Sequence, residues 1–136
     1  MVVLIDTNII LDVLEKRPGF YDISLEILER CASGRMQGII AIHSVSNIFF
    51  ILRKQCPAHK RRRLLSGILD FLQVAGLGHT DVKNALLREE FSDFEDCLQD
   101  ECAKKAGADY IITRNVRDFS NAAVKAVTPE EFLELG

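Results

Sequence analysis

The run Val2-Val3-Leu4-Ile5 is apolar throughout, β-branched at three of its four positions, and cut off by Asp6; no other stretch constrains the fold of this chain as strongly. A continuous apolar run without polar alternation suits a strand covered on both faces, as in a parallel sheet. A helical pattern follows at once. Ile9, Ile10, Val13 and Leu14 recur at helical spacing until Lys16-Arg17-Pro18-Gly19 breaks it.

The same unit recurs along the chain. Asp22 is placed to cap a helix bearing Ile23, Leu25, Ile27, Leu28 and Cys31, which Gly34 ends. Gly38 to Ile42 reads as a second strand, with Ser44 as the N-cap of a helix carrying Val45, Ile48, Phe49 and Leu52. Pro57 closes that element, Lys60 to Leu72 reads as a further helix, and a weak strand falls around Gln73 to Leu77. Thr80 or Asp81 caps a helix through Leu86, and Ser92 caps another that runs to about Ala106 and stops at Gly107. Ala108 to Thr113 is the fourth strand and Lys125 to Val127 a fifth. Thr128-Pro129-Glu130-Glu131 then supplies an N-cap, a proline at the first helical position and a glutamate that closes a capping box. Short apolar strands alternating with amphipathic helices predict a three-layer α/β/α fold around a mostly parallel sheet. With no internal repeat or linker, residues 1–136 are expected to form one domain.

Composition limits the partners. A formal net charge of -3 does not mark the whole molecule as a polyanion binder, so nucleic-acid contact must come from a local patch. Cys31, Cys56, Cys97 and Cys102 form no C-x-x-C pair and have no histidine at zinc-finger spacing, which argues against structural zinc and for free thiols. The first residues carry no basic n-region. The apolar stretch from Gly38 to Leu52 is broken by His43, Ser44, Ser46 and Asn47, short of the ~20 apolar residues of a membrane span. The expected location is the cytoplasm, with no membrane association.

In parallel α/β folds, ligands bind outside the carboxyl ends of the strands. Those positions hold Asp6-Thr7-Asn8, then His43 to Asn47, then Thr113-Arg114-Asn115 with Asp118. The helix before the fourth strand adds Asp93, Asp96 and Asp100, spaced i, i+3, i+7 and so within an arc of about 60° at helical period. Phe91, Phe94, Leu98 and Cys102 occupy another arc and are expected to face the core. Carboxylates gathered without a lysine or arginine between them repel unless a cation neutralises them. All-oxygen ligation selects Mg²⁺ or Mn²⁺, ions that activate water and stabilise charge developing on phosphate. Each acid alone fits a plainer role: Asp6 as a helix cap, Asp93, Glu95 and Asp96 as first-turn partners of the helix dipole, Asp118 as a turn residue. The delivery of acids to one rim by three separate segments favours a common site.

Val-Val-Leu-Ile-Asp-Thr-Asn at Val2 to Asn8, Asp-Phe-Glu-Asp at Asp93 to Asp96, and Ile-Ile-Thr-Arg-Asn-Val-Arg-Asp-Phe at Ile111 to Phe119 together resemble a bacterial PIN domain, the family that includes the VapC-type toxin ribonucleases. The similarity spans nearly the whole chain. It implies a five-stranded parallel sheet between helices, metal-dependent endoribonuclease activity on RNA, often a homodimer, and for a toxin an antitoxin protein partner. By position, Asp6, Asp96 and Asp118 match acidic residues that bind Mg²⁺ or Mn²⁺, Asp93 is a neighbouring ligand candidate, and Asn8, Thr113 and Asn115 line the same pocket.

One departure matters. The family usually carries Glu or Asp in the helix after the second strand, where Ser44 to Phe50 offers Asn47, an amide that can ligate Mg²⁺ but brings no charge. The alternative reading is therefore a catalytically weak or inactive PIN-like module that binds RNA or a protein. P-loop and dinucleotide-binding glycine motifs are absent. Arg53, Lys54, His59 and Lys60 to Arg63 make a local positive region, read either as a solvated helix start or as a phosphate-holding surface. Arg114 and Arg117 flank the predicted pocket and are expected to touch substrate. No aromatic platform for stacking single strands is evident.

Overall fold

Successive strand residues point to opposite faces, so an apolar run is stable in a sheet only when both faces are covered. The structure, a computed structural model, describes residues 1–135 and shows this arrangement. Strands β1 Val2–Ile5, β2 Gln37–Ala41, β3 Leu72–Ala75, β4 Tyr110–Ile112 and β5 Ala126–Val127 form one parallel sheet in the order β3-β2-β1-β4-β5. Val3 and Ile5 of β1, Ile40 of β2 and Ile112 of β4 join one buried cluster, while Leu4, Ile39, Ala41 and Ile111 join the other. Each fully buried Leu or Ile side chain contributes roughly 1.5–3 kcal/mol.

Helices α1 Thr7–Leu14, α2 Tyr21–Ala32, α3 Ile42–Ile51, α4 Ala58–Ile68 and α7 Pro129–Leu135 contribute to the first cluster. Helices α5 His79–Leu86 and α6 Phe94–Ala106 contribute to the second. Single 3-10 turns, Leu52–Lys54 and Val116–Phe119, follow α3 and β4. At Gly38 the layers close tightly, since a Cβ there would collide with the side chains of Leu72 and Cys31. All four cysteines are free and buried, and no described helix is long and apolar enough to cross a membrane.

The chain runs from β1 outward to β2 and β3, then returns to the other side of β1 for β4 and β5. The order reverses between β1 and β4, and at such a switch point the connections diverge and leave a crevice. Asp6 follows β1 there and Thr113 follows β4.

Several element starts differ from the sequence reading. Helix α3 leaves β2 directly at Ile42, so Ser44 lies buried inside it and its Oγ accepts a bond from Thr7 Oγ1 (2.8 Å) instead of capping. Asp22 sits in the first turn of α2, behind Phe20. Helix α4 spans Ala58–Ile68, and Leu72 turns inward as the first residue of β3. Helix α5 starts at His79, and Asp81 accepts from the Gly78 amide (2.8 Å). Asp93 rather than Ser92 caps α6, accepting from the Asp96 amide (3.0 Å). Where the cap was a full box it forms as expected: Thr128 and Glu131 exchange bonds of 3.1 Å.

Candidate active site

Asp6 occupies the N-cap position of α1, yet its carboxylate does not cap. It is 5% exposed; Oδ1 accepts from Gln99 Nε2 and Oδ2 from Thr113 Oγ1, both at 2.7 Å. The Thr113 hydroxyl oxygen accepts the Asn115 amide (3.0 Å), so the turn after β4 is braced against the same acid. A buried carboxylate must be hydrogen-bonded, and here neutral donors from α6 and from the residue after β4 do this without a cation.

Above Asp6 opens a cleft of about 410 Å³. Asp93, Glu95, Asp96 and Asp118 line it with Asp6, and the amides Asn8, Asn47, Gln99 and Asn115 complete its polar wall. None of the described lining residues is a lysine or arginine. Asp96 records the consequence: burial first, then the negative charges of Asp93, Asp6, Asp118 and Glu95, push its pKa from 3.8 up to about 7. Asn47 donates to Glu95 Oε2 (3.2 Å), joining α3 to the start of α6. His43 Nε2 lies 3.1 Å from the Glu95 carbonyl, and burial lowers its pKa.

The structure therefore brings Asp6, Asp93, Asp96, Asp118, Asn8, Asn47 and Asn115 to one cleft, with Thr113 buried beneath as a brace for Asp6. Asn8 also accepts from Arg17 (3.3 Å). Other expected residues lie elsewhere. Arg114 does not line the cleft: its guanidinium pairs with buried Asp12 (3.1 Å) and covers the Phe20 ring (4.0 Å). Asp100 does not line the cleft and is fully buried against Arg88. Phe94, expected in the core, is exposed, while Phe91 and Cys102 are buried. Arg117 is exposed on the turn beside Asp118. Arg53 and Lys54 are exposed in the turn after α3, whereas Arg61 is held by the Phe49 carbonyl (2.9 Å).

Gln99, Phe50 and Ile51 line the cleft without having been singled out as site residues, as do Thr7, named at the rim without a role, and Glu95, read only as a helix-dipole acid. Gln99 was detectable, since it stands three residues after Asp96 on the same helical face; a search confined to acids passes over it. Among the described residues no three His, Cys, Asp or Glu side chains stand close enough together to hold an ion as they are. The donor set nonetheless fits a hard divalent cation in kind. It is all oxygen, it is anionic and uncompensated, and Gln99 leaves a buried Oε1 without a partner.

The chain matches the PIN domain family model over residues 2–117. It is 25% identical over 138 residues to Ribonuclease VapC1 of Aquifex aeolicus, covering 97% of this chain and 93% of that protein. Among solved structures, FitAcB from Neisseria gonorrhoeae superposes with a TM-score of 0.73 at 17% identity, over 94% of this chain and 98% of that one. A toxin-antitoxin complex from Klebsiella pneumoniae gives 0.71 at 22% identity, over 93% and 97%. A family match across most of the chain, on a sheet and crevice of this form, makes the protein a member of the PIN domain family.

Proposed function

We propose that this single-domain protein is a metal-dependent endoribonuclease of the VapC type, the toxin of a toxin-antitoxin pair, which hydrolyses RNA phosphodiester bonds in the acidic cleft. The observation that carries the reading is the convergence of Asp6, Asp93, Asp96 and Asp118 on one cleft with no basic side chain among its described lining residues. The similarity to a relative named as a ribonuclease and to complexes named as toxin-antitoxin supports it. The cytoplasm is its expected location, and an antitoxin and a second copy of the chain are its expected partners.

Asp6, Asp96 and Asp118, with Asp93 beside them, would hold Mg²⁺ or Mn²⁺. The bound ion would neutralise the carboxylates and stabilise negative charge developing on the phosphate. The chain's own residues do the rest. Gln99 and Thr113 fix the orientation of Asp6. Asp96, which burial and the neighbouring acids push up to about 7 when no cation is present, would orient the attacking water together with Asp6. Water oxygen bonds to phosphorus, the bond to the leaving sugar oxygen breaks, and that oxygen takes up a proton. Asn47 contributes a neutral oxygen and, through Glu95, positions the N-terminus of α6.

The test is cleavage of a mixed RNA pool by the purified chain in Mn²⁺, in EDTA, and by Asp6→Asn and Asp96→Asn. The expected result is Mn²⁺-dependent cleavage that each variant reduces by about a hundredfold or more. RNA binding without cleavage in any metal would replace this reading with the non-catalytic one that Asn47 raises.

A further inference from the structure

Phe50 is 60% exposed, more than Phe20 or Phe94. It stands three residues after Asn47, and so on the same side of α3, where it and Ile51 form the apolar part of the acidic cleft. The Arg53 guanidinium lies 3.7 Å from the centre of its ring, and Nη1 donates to the Phe50 carbonyl (3.0 Å). One face of the ring is thus covered by a planar cation held in place, and much of the rest is open.

We propose that Phe50 and Arg53 form a nucleobase-stacking subsite that holds an unpaired base of single-stranded RNA beside the phosphate to be cut. The inference rests on the ribonuclease reading and deepens it by naming the substrate class. The ion proposed above would neutralise the acidic wall and hold the phosphate to be cut, so affinity for the rest of the strand must come from neutral or cationic contacts at the cleft's edge. Stacking supplies it without regard to charge, because every base has a π-face. A base inside a duplex is already stacked, whereas one in a loop or single strand is free to lie on an aromatic ring or a guanidinium plane. The Arg53–Phe50 pair offers both surfaces, pre-organised by a cation–π contact. A protein partner is disfavoured by the surroundings. Apart from Ile51, the neighbours of Phe50 in the cleft are carboxylates, amides and a threonine, not the apolar centre of a protein interface.

The chain has no tryptophan, so Phe50→Trp places a single reporter at the site. Binding of a labelled single-stranded oligoribonucleotide in Ca²⁺ is measured for wild type, Phe50→Ala and Phe50→Trp, beside the same sequence as a duplex. Phe50→Ala is expected to weaken single-strand binding about tenfold or more, the loss of one base–aromatic stack, and to leave duplex binding unchanged. Phe50→Trp keeps the affinity, and the RNA quenches its fluorescence. In Mn²⁺, Phe50→Ala raises KM with kcat unchanged.

Equal single-strand affinity of Phe50→Ala and wild type, or a tryptophan emission that RNA does not change, overturns the subsite. If the wild type still cleaves, the ribonuclease reading survives that result. A wild type that neither binds nor cleaves RNA ends both. A homodimer that Phe50→Ala dissociates in sedimentation, with RNA binding unchanged, assigns the ring to contact between copies and overturns the proposal.

Discussion

Helix α6 carries acids with two different environments, one turn apart. Asp100 is fully buried; its Oδ2 accepts from Arg88 (2.7 Å) and the Ala123 amide (2.8 Å), and its Oδ1 from the Val124 amide (3.0 Å). Glu101 beside it also pairs with Arg88 (2.9 Å). Four residues earlier, Asp96 faces Asp93, Asp6, Asp118 and Glu95 with no lysine or arginine among the described lining residues, and its pKa rises to about 7. Asp12 belongs with Asp100: fully buried, it lies 3.1 Å from Arg114 and 3.6 Å from Arg17, and it accepts from Ser24 (3.0 Å). Acids that the fold has already compensated tie segments together, whereas an acid cluster left uncompensated retains a demand for positive charge.

The comparison can be broken most forcefully at Asp100. Asp100→Ala strands two backbone amides and leaves Arg88 with Glu101 as its remaining close carboxylate, and is expected to lower stability by about 3–5 kcal/mol, read from the urea midpoint. A loss below about 1 kcal/mol would mean that the buried network is not what holds the segment after Asp118 to α6.

Asp96 tests the other side. A carboxyl group whose pKa is raised by folding costs stability only when ionised. That cost is absent below pH 3.8, where Asp96 is protonated folded or unfolded, and grows until the pH passes about 7. In EDTA the melting temperature of the wild type should therefore carry a component that falls between those limits, and Asp96→Asn should remove it. Because Asp96 is only partly buried, solvent screening leaves a gain for the variant of about 1 kcal/mol at pH 8. Saturating Mn²⁺ should reverse the order at pH 8, stabilising wild type and not the variant. A variant less stable than wild type in EDTA at pH 8 would show that the cluster is not strained by its charge.

Asn47 gives the smallest effect. Asn47→Asp removes the bond to Glu95 and adds a like charge, so the metal-free protein should lose about 0.5–1.5 kcal/mol. The same charge should tighten Mn²⁺ binding and strengthen Mn²⁺-dependent cleavage. Calorimetric titration showing unchanged or weaker binding would remove Asn47 from the ligand set.

Strand and helix order was legible because periodicity is a local property: Val2 to Ile5 alternates between two cores, and the box at Thr128 to Glu131 closes within four residues. Caps read from single residues fared less well. Ser44 and Asp6 both look like caps, but each is held by a partner far away in sequence, Ser44 by Thr7 and Asp6 by Gln99 and Thr113. The exposed ring of Phe50 was illegible for a related reason, since its one-sided covering by Arg53 depends on how the chain turns after α3.

From residue types and their spacing alone come the alternating pattern, the acids after β1 and at the start of α6, and the amide at position 47. Which acids remain uncompensated was settled in three dimensions. Asp96 and Asp100 differ little in local sequence; the difference is Arg88, which approaches from the segment after α5, while Arg114 leaves the cleft for Asp12. Charge compensation is a contact property between residues remote in the chain, and spacing along one helix carries no information about where the arginines go.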